Sequence, residues 1–248
     1  MTTAIILAAG VGKRLAATHG DLPKCLIEVG GVPMVSRLID GLAAAGVRRV
    51  VLVTGYGDAQ VRRRLGDGPA GTDLTYVFNA RFREGAILSL WSAREYLEGP
   101  VLVMDADVVC APSMLRRLVA SAHANCFLLD ASSPNTGEEQ MLLVRGGRVH
   151  DIVRGGAPGF ELQGESIGFL KLDTAATRLL REILDERVAA GDTGIEHEQV
   201  YPALLARVEV GFERVDGEPW IEVDFAEDVE RAERDVLPRI ESTRIERG

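Results

Sequence analysis

The sequence predicts an α/β protein: a single domain built as a three-layer sandwich around a mostly parallel mixed sheet. Three observations carry that prediction. Short apolar segments at Ile5–Leu7, Arg48–Thr54, Leu74–Phe78 and Val101–Met104 alternate with segments of helical periodicity, the pattern of right-handed βαβ units. A glycine-rich loop follows the first strand and an acidic stretch follows Met104, both at strand carboxyl ends, where such sheets bind ligands. Finally, 248 residues suffice for one domain with a sizeable core.

The elements follow in order. Met34, Leu38, Leu42 and Ala45 recur at near-helical spacing and Gly46 suits a C-cap, so a helix spans 34–46. The buried strand Arg48–Thr54 ends at Gly55-Tyr56-Gly57, and a helix runs on to about Leu65. After a Gly/Pro-rich turn come the strand Leu74–Phe78, a helix from about Ala86 to Leu97 and the strand Val101–Met104. Beyond residue 112 the order is less regular, with a helix at Ser113–Ala122 and a strand at Asn125–Asp130. Arg145-Gly146-Gly147-Arg148 reads as the turn of a hairpin between Met141–Val144 and Val149–Val153. A strand at Glu165–Leu172, helices at about Thr174–Ala190 and Glu196–Ala206, and strands at Val208–Arg214 and Trp220–Val223 complete the core. A charged helix from Glu227 to about Ile240 is expected to kink or end near Pro238. No internal repeat, linker or low-complexity tract divides residues 1–248, although 125–215 stands out as the irregular portion.

Composition narrows the function. With 46% hydrophobic and 26% charged residues the chain reads as globular rather than disordered. A net charge of −9 argues against a nucleic-acid surface, which relies on clustered Lys and Arg. It still allows one local basic pocket for a small anion. Arg62-Arg63-Arg64 and Arg116-Arg117 read as solvated helix faces. Cys25, Cys110 and Cys126 lack metal-ligand spacing and fit a reducing compartment. The four histidines form no His-x-x-x-His pair, so zinc is not expected. No apolar run approaches the roughly 20 residues that span a bilayer, and the N-terminus does not read as a signal peptide, so the expected location is cytoplasmic, with no membrane partner.

The stretch Ile5-Ile6-Leu7-Ala8-Ala9-Gly10-Val11-Gly12-Lys13-Arg14-Leu15 organises the rest. Small residues at a strand end let a ligand approach the backbone, whose N–H groups cradle phosphate oxygens. Arg14 and Lys24 add positive charge, and Pro23 stiffens the chain ahead of Lys24. The loop is neither a Gly-x-x-x-x-Gly-Lys-Ser/Thr nor a Gly-x-Gly-x-x-Gly motif, because Leu15 stands at the third glycine position. On the Gly-x-Gly fragment alone, a tight strand-to-helix turn is an equal reading. The full string Leu-Ala-Ala-Gly-x-Gly-x-Arg-Leu, then Pro23-Lys24-x-Leu26, then Gly31-x-Pro33-Met34, resembles the signature of nucleotidyltransferases that join a nucleoside triphosphate to a phosphorylated small molecule. That resemblance covers nearly the whole chain. It implies a Rossmann-like sandwich of the nucleotide-diphospho-sugar transferase type and is compatible with a homodimer.

Met104-Asp105-Ala106-Asp107 follows an apolar strand, and Glu222-Val223-Asp224 ends another with both carboxylates on one face by period two. Hard oxygen donors of this kind suit Mg²⁺, while a strand-end cap is the alternative for either fragment alone. In the resembling family, the second Asp of such a post-strand pair and a late Asp hold the catalytic Mg²⁺. These map onto Asp107 and Asp224, with Asp105 and Glu222 as orienting neighbours. The resemblance further makes Leu7, Ala8 and Ala9 nucleotide-binding candidates and implies that the Gly10 and Gly12 backbone contacts the triphosphate, Arg14 its β/γ end, and Lys24 the α-phosphate and the attacking group. The acceptor's phosphate or phosphonate oxygen is already anionic, so no general base is needed, and catalysis is positioning plus charge neutralisation.

Asn79-Ala-Arg-Phe-Arg-Glu-Gly-Ala-Ile-Leu-Ser89-Leu90 resembles the Asn…Ser-Leu segment of cytidylyltransferases that activate phosphocholine, inositol 1-phosphate and small phosphonates. The resemblance makes Asn79, Gly85, Ala86 and Ser89 nucleotide-binding candidates together with Asp105, against an ordinary helix start. It implies CTP and a small phosphate or phosphonate acceptor as ligands. Gly85-Ala86 replaces the doubled Asn of the phosphocholine enzymes, and few aromatics are available to cage a quaternary ammonium, so choline is disfavoured. Glu165, Ser166, Glu196 and Tyr201 are acceptor-pocket candidates, with Glu165 able to pair with an ammonium; a solvated strand end and a capping turn are the alternatives. The rival functions are a sugar-1-phosphate nucleotidyltransferase using another base, against which the missing Gln-Pro segment speaks, and an inert binding module on the same scaffold.

Overall fold

The computed structural model describes residues 1–245. Strands and helices follow as β1 (Thr3–Ala8), α1 (Met34–Ala44), β2 (Arg49–Thr54), α2 (Asp58–Leu65), β3 (Asp73–Phe78), α3 (Ile87–Ser92), β4 (Val101–Asp105), β5 (Val108–Cys110) and α4 (Pro112–Ala120). The remainder is β6 (Cys126–Asp130), β7 (Gln140–Arg145), β8 (Arg148–Arg154), β9 (Leu162–Leu172), α5 (Thr174–Ala189), α6 (Tyr201–Leu205), β10 (Gly211–Arg214), β11 (Trp220–Glu222), α7 (Ala226–Arg231) and α8 (Leu237–Ile245). Shorter pieces not foreseen are a helical turn at Ala16–His19, a 3-10 turn at Lys24–Leu26 and a two-residue hairpin, Glu28–Val29 with Val32–Pro33.

One nine-stranded mixed sheet holds the domain together, in the order β8-β7-β9-β4-β1-β2-β3, with β6 beside β9 and β10 beside β6. Between residues 3 and 105 it is wholly parallel, with β1 between β4 and β2, in register with β2 from Thr3 to Ala8 and with β4 from Thr3 to Leu7. The strand β9 turns it antiparallel, pairing with β4, β7 and β6. Alternation along the strands builds two cores, one on each face. Ile6, Leu52, Leu102 and Met104 pack with α1 and α4, whereas Ile5, Val51, Val53 and Val103 pack with α3 and α5. Three layers result, as the periodicity predicts.

Local chemistry explains where elements stop. Asp173 caps α5 by accepting from Ala176 N at 2.8 Å, which satisfies a first-turn donor. The predicted helix 86–97 closes at Ser92 and continues as a 3-10 turn, Arg94–Tyr96. The Ser92 hydroxyl takes the Leu88 carbonyl at 2.7 Å, competing with the backbone ladder there. The predicted helix 196–206 is a 3-10 turn (His197–Val200) followed by α6, because Pro202 at the start of α6 brings no N–H. The late strand begins at Gly211 rather than Val208. Of the two outcomes expected at Pro238, the helix does not end there: it widens into a π turn just before the proline, over Ala232–Val236, the type of irregularity at which helices kink, and runs on to Ile245.

Candidate active site

The glycine loop leaves β1 at Ala8. Gly12 takes the left-handed conformation (φ 62°), and a Cβ there would lie 3.1 Å from Lys24 Cβ, so the glycine lets the loop close on the lysine stem. Gly10 has open space where a Cβ would stand. Lys24 begins its own 3-10 turn after Pro23. Gly10, Gly12, Arg14, Lys24, Asp107 and Asp224 all line one cavity of about 440 Å³, together with Val11, Lys13, Phe82 and Arg83. Its wall carries four cations and the loop backbone, the chemistry of a polyphosphate cradle. Ala8 and Ala9 are buried beneath the loop, Ala9 O accepting from Tyr56 N at 3.2 Å, and Leu7 pairs in register with Asp105.

Asp107 and Asp224 come together although 117 residues separate them in sequence. The link is a two-stranded sheet in which Glu222 of β11 faces Val108 of β5, extended by Val223 N donating to Asp107 O at 3.0 Å. Asp228, at the start of α7, accepts from Asp224 N (3.0 Å) and Phe225 N (2.8 Å) and holds the turn. Carboxylate oxygens of Asp107, Glu222 and Asp224 all lie within 4.8 Å of one another. Lys24 Nζ bridges two of them, at 2.6 Å from Asp107 Oδ2 and 2.5 Å from Asp224 Oδ1. Burial opposes its charge, but the two carboxylates outweigh that and raise the ammonium's pKa. Arg14 adds a longer contact to Asp224 Oδ2 at 3.2 Å and lies 5.0 Å over the Phe225 ring. Asp107 Oδ1, by contrast, is buried with no hydrogen-bond partner among the described residues. Three hard oxygen donors at this spacing, one of them orphaned, fit a divalent cation. Glu222 belongs to this group as closely as the two aspartates, a place the sequence reading assigned only to a neighbour.

A second cavity of about 180 Å³ opens on the other side of Asp224. Glu165, Ser166, Glu196 and Asp105 line it, as do Glu138, Glu139, Glu198, Glu222 and the lone cation Arg154. Asp105 sits within a group with His197 and Glu198; His197 Nδ1 is 3.1 Å from Glu198 and Nε2 is 3.7 Å from Asp105. Burial, then the charges of Glu198, Asp107 and Glu222, push the Asp105 carboxyl well above the usual carboxylate range. Burial likewise raises Glu165, against the hydrogen bond it accepts from the Ser133 hydroxyl. Gly168 in β9 adopts φ 75°, and a Cβ there would stand 2.5 Å from Asp105 Oδ2.

Some predicted residues stand in the framework instead of either cavity wall. Tyr201 is buried, its ring edge-on to Phe127 (5.8 Å) and His197 (5.7 Å), so it supports the second cavity from behind. Asn79 and Ser89 are buried and bond to each other at 3.2 Å, and Asn79 Oδ1 holds Arg81 N at 2.9 Å. Gly85 packs on the 193–194 loop, where a Cβ would stand 2.9 Å from Gly194 Cα, and Ala86 precedes α3. The Asn79–Ser89 bond and the Gly85 contact set the path of residues 79–86, and the side chains that path delivers to the first cavity are Phe82 and Arg83. Nothing in the sequence marks either as a ligand contact, although both lie inside the Asn79–Leu90 segment.

Residues 4–154 match the model of the MobA-like NTP transferase domain. A 2-aminoethylphosphonate cytidylyltransferase from Lancefieldella rimae is 30% identical over 225 residues, covering 90% of this chain and 88% of that protein. A CMP-5'-(3-aminopropyl)phosphonate synthase from Streptomyces rubellomurinus is 37% identical over 123 residues, which are 49% of this chain but only 20% of that longer protein. The solved inositol-1-phosphate CTP transferase of T. maritima shares the fold, with a TM-score of 0.77 over 97% of this chain and 96% of that one at 22% identity. With its glycine loop, its late aspartate beside Asp107 and a relative matched over nearly its full length, the chain is a nucleotidyltransferase and belongs to the MobA-like NTP transferase family.

Proposed function

We propose that the protein is a divalent-metal-dependent cytidylyltransferase that transfers CMP from CTP to a small aminoalkylphosphonate and releases pyrophosphate. The observation that carries the reading is the seam at Asp224. A cavity walled by Lys13, Arg14, Lys24 and Arg83 meets one walled by Asp105, Glu138, Glu139, Glu165, Glu196, Glu198 and Glu222, with the Asp107–Glu222–Asp224 group between them. A triphosphate suits the first and an ammonium the second. The acceptor's phosphonate then falls at the seam, beside Lys24. A primary amine is favoured over a quaternary one because, among the described residues, no aromatic ring lines the acidic cavity, and a cage for choline needs such rings. CTP as the donor rests on the cytidylyltransferase relatives.

In this mechanism the Gly10–Gly12 backbone and Arg14 hold the β- and γ-phosphates, and Lys24 holds the α-phosphate and the attacking oxygen. Glu165 and Glu198 orient the ammonium so that the phosphonate points at the α-phosphorus. A phosphonate oxygen attacks in line, its bond to the α-phosphorus forms as the α–β bridging bond breaks, and pyrophosphate leaves with the electron pair. No side chain has to remove a proton, since the nucleophile is an anion at neutral pH. Asp107, Glu222 and Asp224 would hold Mg²⁺, which supplies charge neutralisation on the triphosphate when bound. Pyrophosphate release tests the reading, with each ribonucleoside triphosphate against 2-aminoethylphosphonate, 2-hydroxyethylphosphonate, phosphocholine, inositol 1-phosphate and hexose 1-phosphates. The expected result is turnover with CTP and the aminophosphonate. Turnover confined to a hexose 1-phosphate with another nucleotide sinks the proposal.

A further inference from the structure

Lys24 and a divalent cation claim the same oxygens. The ammonium lies within 2.6 Å of both Asp107 and Asp224, inside the triad whose donors span 4.8 Å. Its side chain is only 14% exposed, so the ammonium is held largely away from water. The stem is confined by the turn after Pro23 and by Gly12, whose position in the glycine loop leaves just the room the stem needs. Lys24 also lines the basic cavity with Gly10, Gly12 and Arg14, so a polyphosphate bound there would offer Nζ a replacement for the carboxylates' counter-charge.

We infer that Lys24 is an internal competitor for the metal site, so that the cation binds tightly only together with a nucleoside triphosphate, whose α-phosphate draws the ammonium off Asp107 and Asp224. This rests on the metal-dependent reading of the site and goes beyond it by setting an order. A like charge held a few ångströms away opposes a divalent ion strongly in a half-buried site, and the same ammonium is attracted to phosphate once a nucleotide is in place. Lys24 therefore works twice: it keeps the carboxylates neutralised and then carries its charge to the reacting phosphate. Metal alone is bound only weakly, and Asp107 and Asp224 keep a cationic partner until the nucleotide arrives.

The test is the binding of Mn²⁺ alone, followed by electron paramagnetic resonance of the free ion, to wild type, Lys24→Met and Asp107→Asn. Lys24→Met is expected to bind Mn²⁺ at least about tenfold more tightly than wild type. Adding a non-hydrolysable CTP analogue should tighten Mn²⁺ binding to both proteins, since the triphosphate itself adds oxygen donors, but by a larger factor in wild type than in Lys24→Met, so the gap narrows. Thermal melts give a readout that survives a destabilised variant: Mn²⁺ alone raises the melting temperature of Lys24→Met, or of Lys24→Gln, more than that of wild type. Equal or weaker metal binding by the lysine variants overturns the inference while wild-type turnover with CTP leaves the proposed function standing. Mn²⁺ binding unaffected by Asp107→Asn overturns both.

Discussion

Gly168→Ala tests how the acceptor side of the site is held. The backbone at this position has φ 75°, where an alanine costs roughly 1–2 kcal/mol of steric strain. Its Cβ would also stand 2.5 Å from Asp105 Oδ2 and 3.3 Å from Asp105 Cγ, too close for either atom to stay. Forcing the half-buried carboxylate to rotate adds about 1 kcal/mol or more, typical of overpacking. The total of about 2–4 kcal/mol corresponds to a melting-temperature drop of roughly 5–12 °C in a chain of this size. Asp105 lines the acidic cavity, so KM for the aminophosphonate is expected to rise with KM for CTP nearly constant. A double-mutant cycle isolates the contact. In an Asp105→Ala background the backbone strain persists but the carboxylate is gone, so Gly168→Ala should cost about 1 kcal/mol less there. Equal costs in the two backgrounds, or a Gly168→Ala protein that melts with wild type, would refute the steric reasoning.

Other expectations follow from the same geometry. Asp107→Asn should lower kcat at least about a hundredfold, since it weakens the hold on the cation that would neutralise the transition state, and a variant retaining most of its turnover would remove Asp107 from the metal group. Asn79→Ala is expected to cost about 1–3 kcal/mol in urea denaturation, because it strands Ser89 Oγ and Arg81 N; a shift in nucleotide KM with unchanged stability would instead make Asn79 a ligand contact. Arg83→Ala should weaken CTP roughly tenfold and leave the acceptor KM alone, as Arg83 lines only the basic cavity. Burial pushes the thiols of Cys25 and Cys110 up to about 12 and that of Cys126 to about 11. The folded protein therefore keeps protons that unfolded thiols release near pH 8.5. That contribution to stability is complete below pH 8.5 and is lost as pH climbs toward 11–12. In the native protein at pH 8 all three should resist alkylation on a timescale that labels the urea-unfolded chain; rapid native labelling of Cys25 would contradict its burial.

Features that depend on neighbours along the chain are legible before any folding is considered. Alternation in Ile5–Leu7, Arg48–Thr54 and Val101–Met104 decides which side chains enter each core, because a strand's faces are set by period two. The glycine loop was legible for the same reason: its backbone freedom and its nearby Arg14 and Lys24 are local properties. Tertiary structure decided what depends on pairings distant in sequence. The strand around Trp220–Glu222 was legible, but its pairing with the three-residue β5, which lifts Glu222 and Asp224 onto Asp107, joins segments far apart in sequence and leaves no local pattern. Asn79 and Ser89 looked like ligand contacts because polar residues near a site read alike from sequence, whereas burial turned them toward each other and delivered Phe82 and Arg83 to the cavity instead. The acidic cavity itself is assembled from the β4 end, the 138–140 loop, β9, the 196–198 turn and β11, and no single segment carries its charge. Electrostatic potential is a sum over space, so only the folded chain could make that sum local.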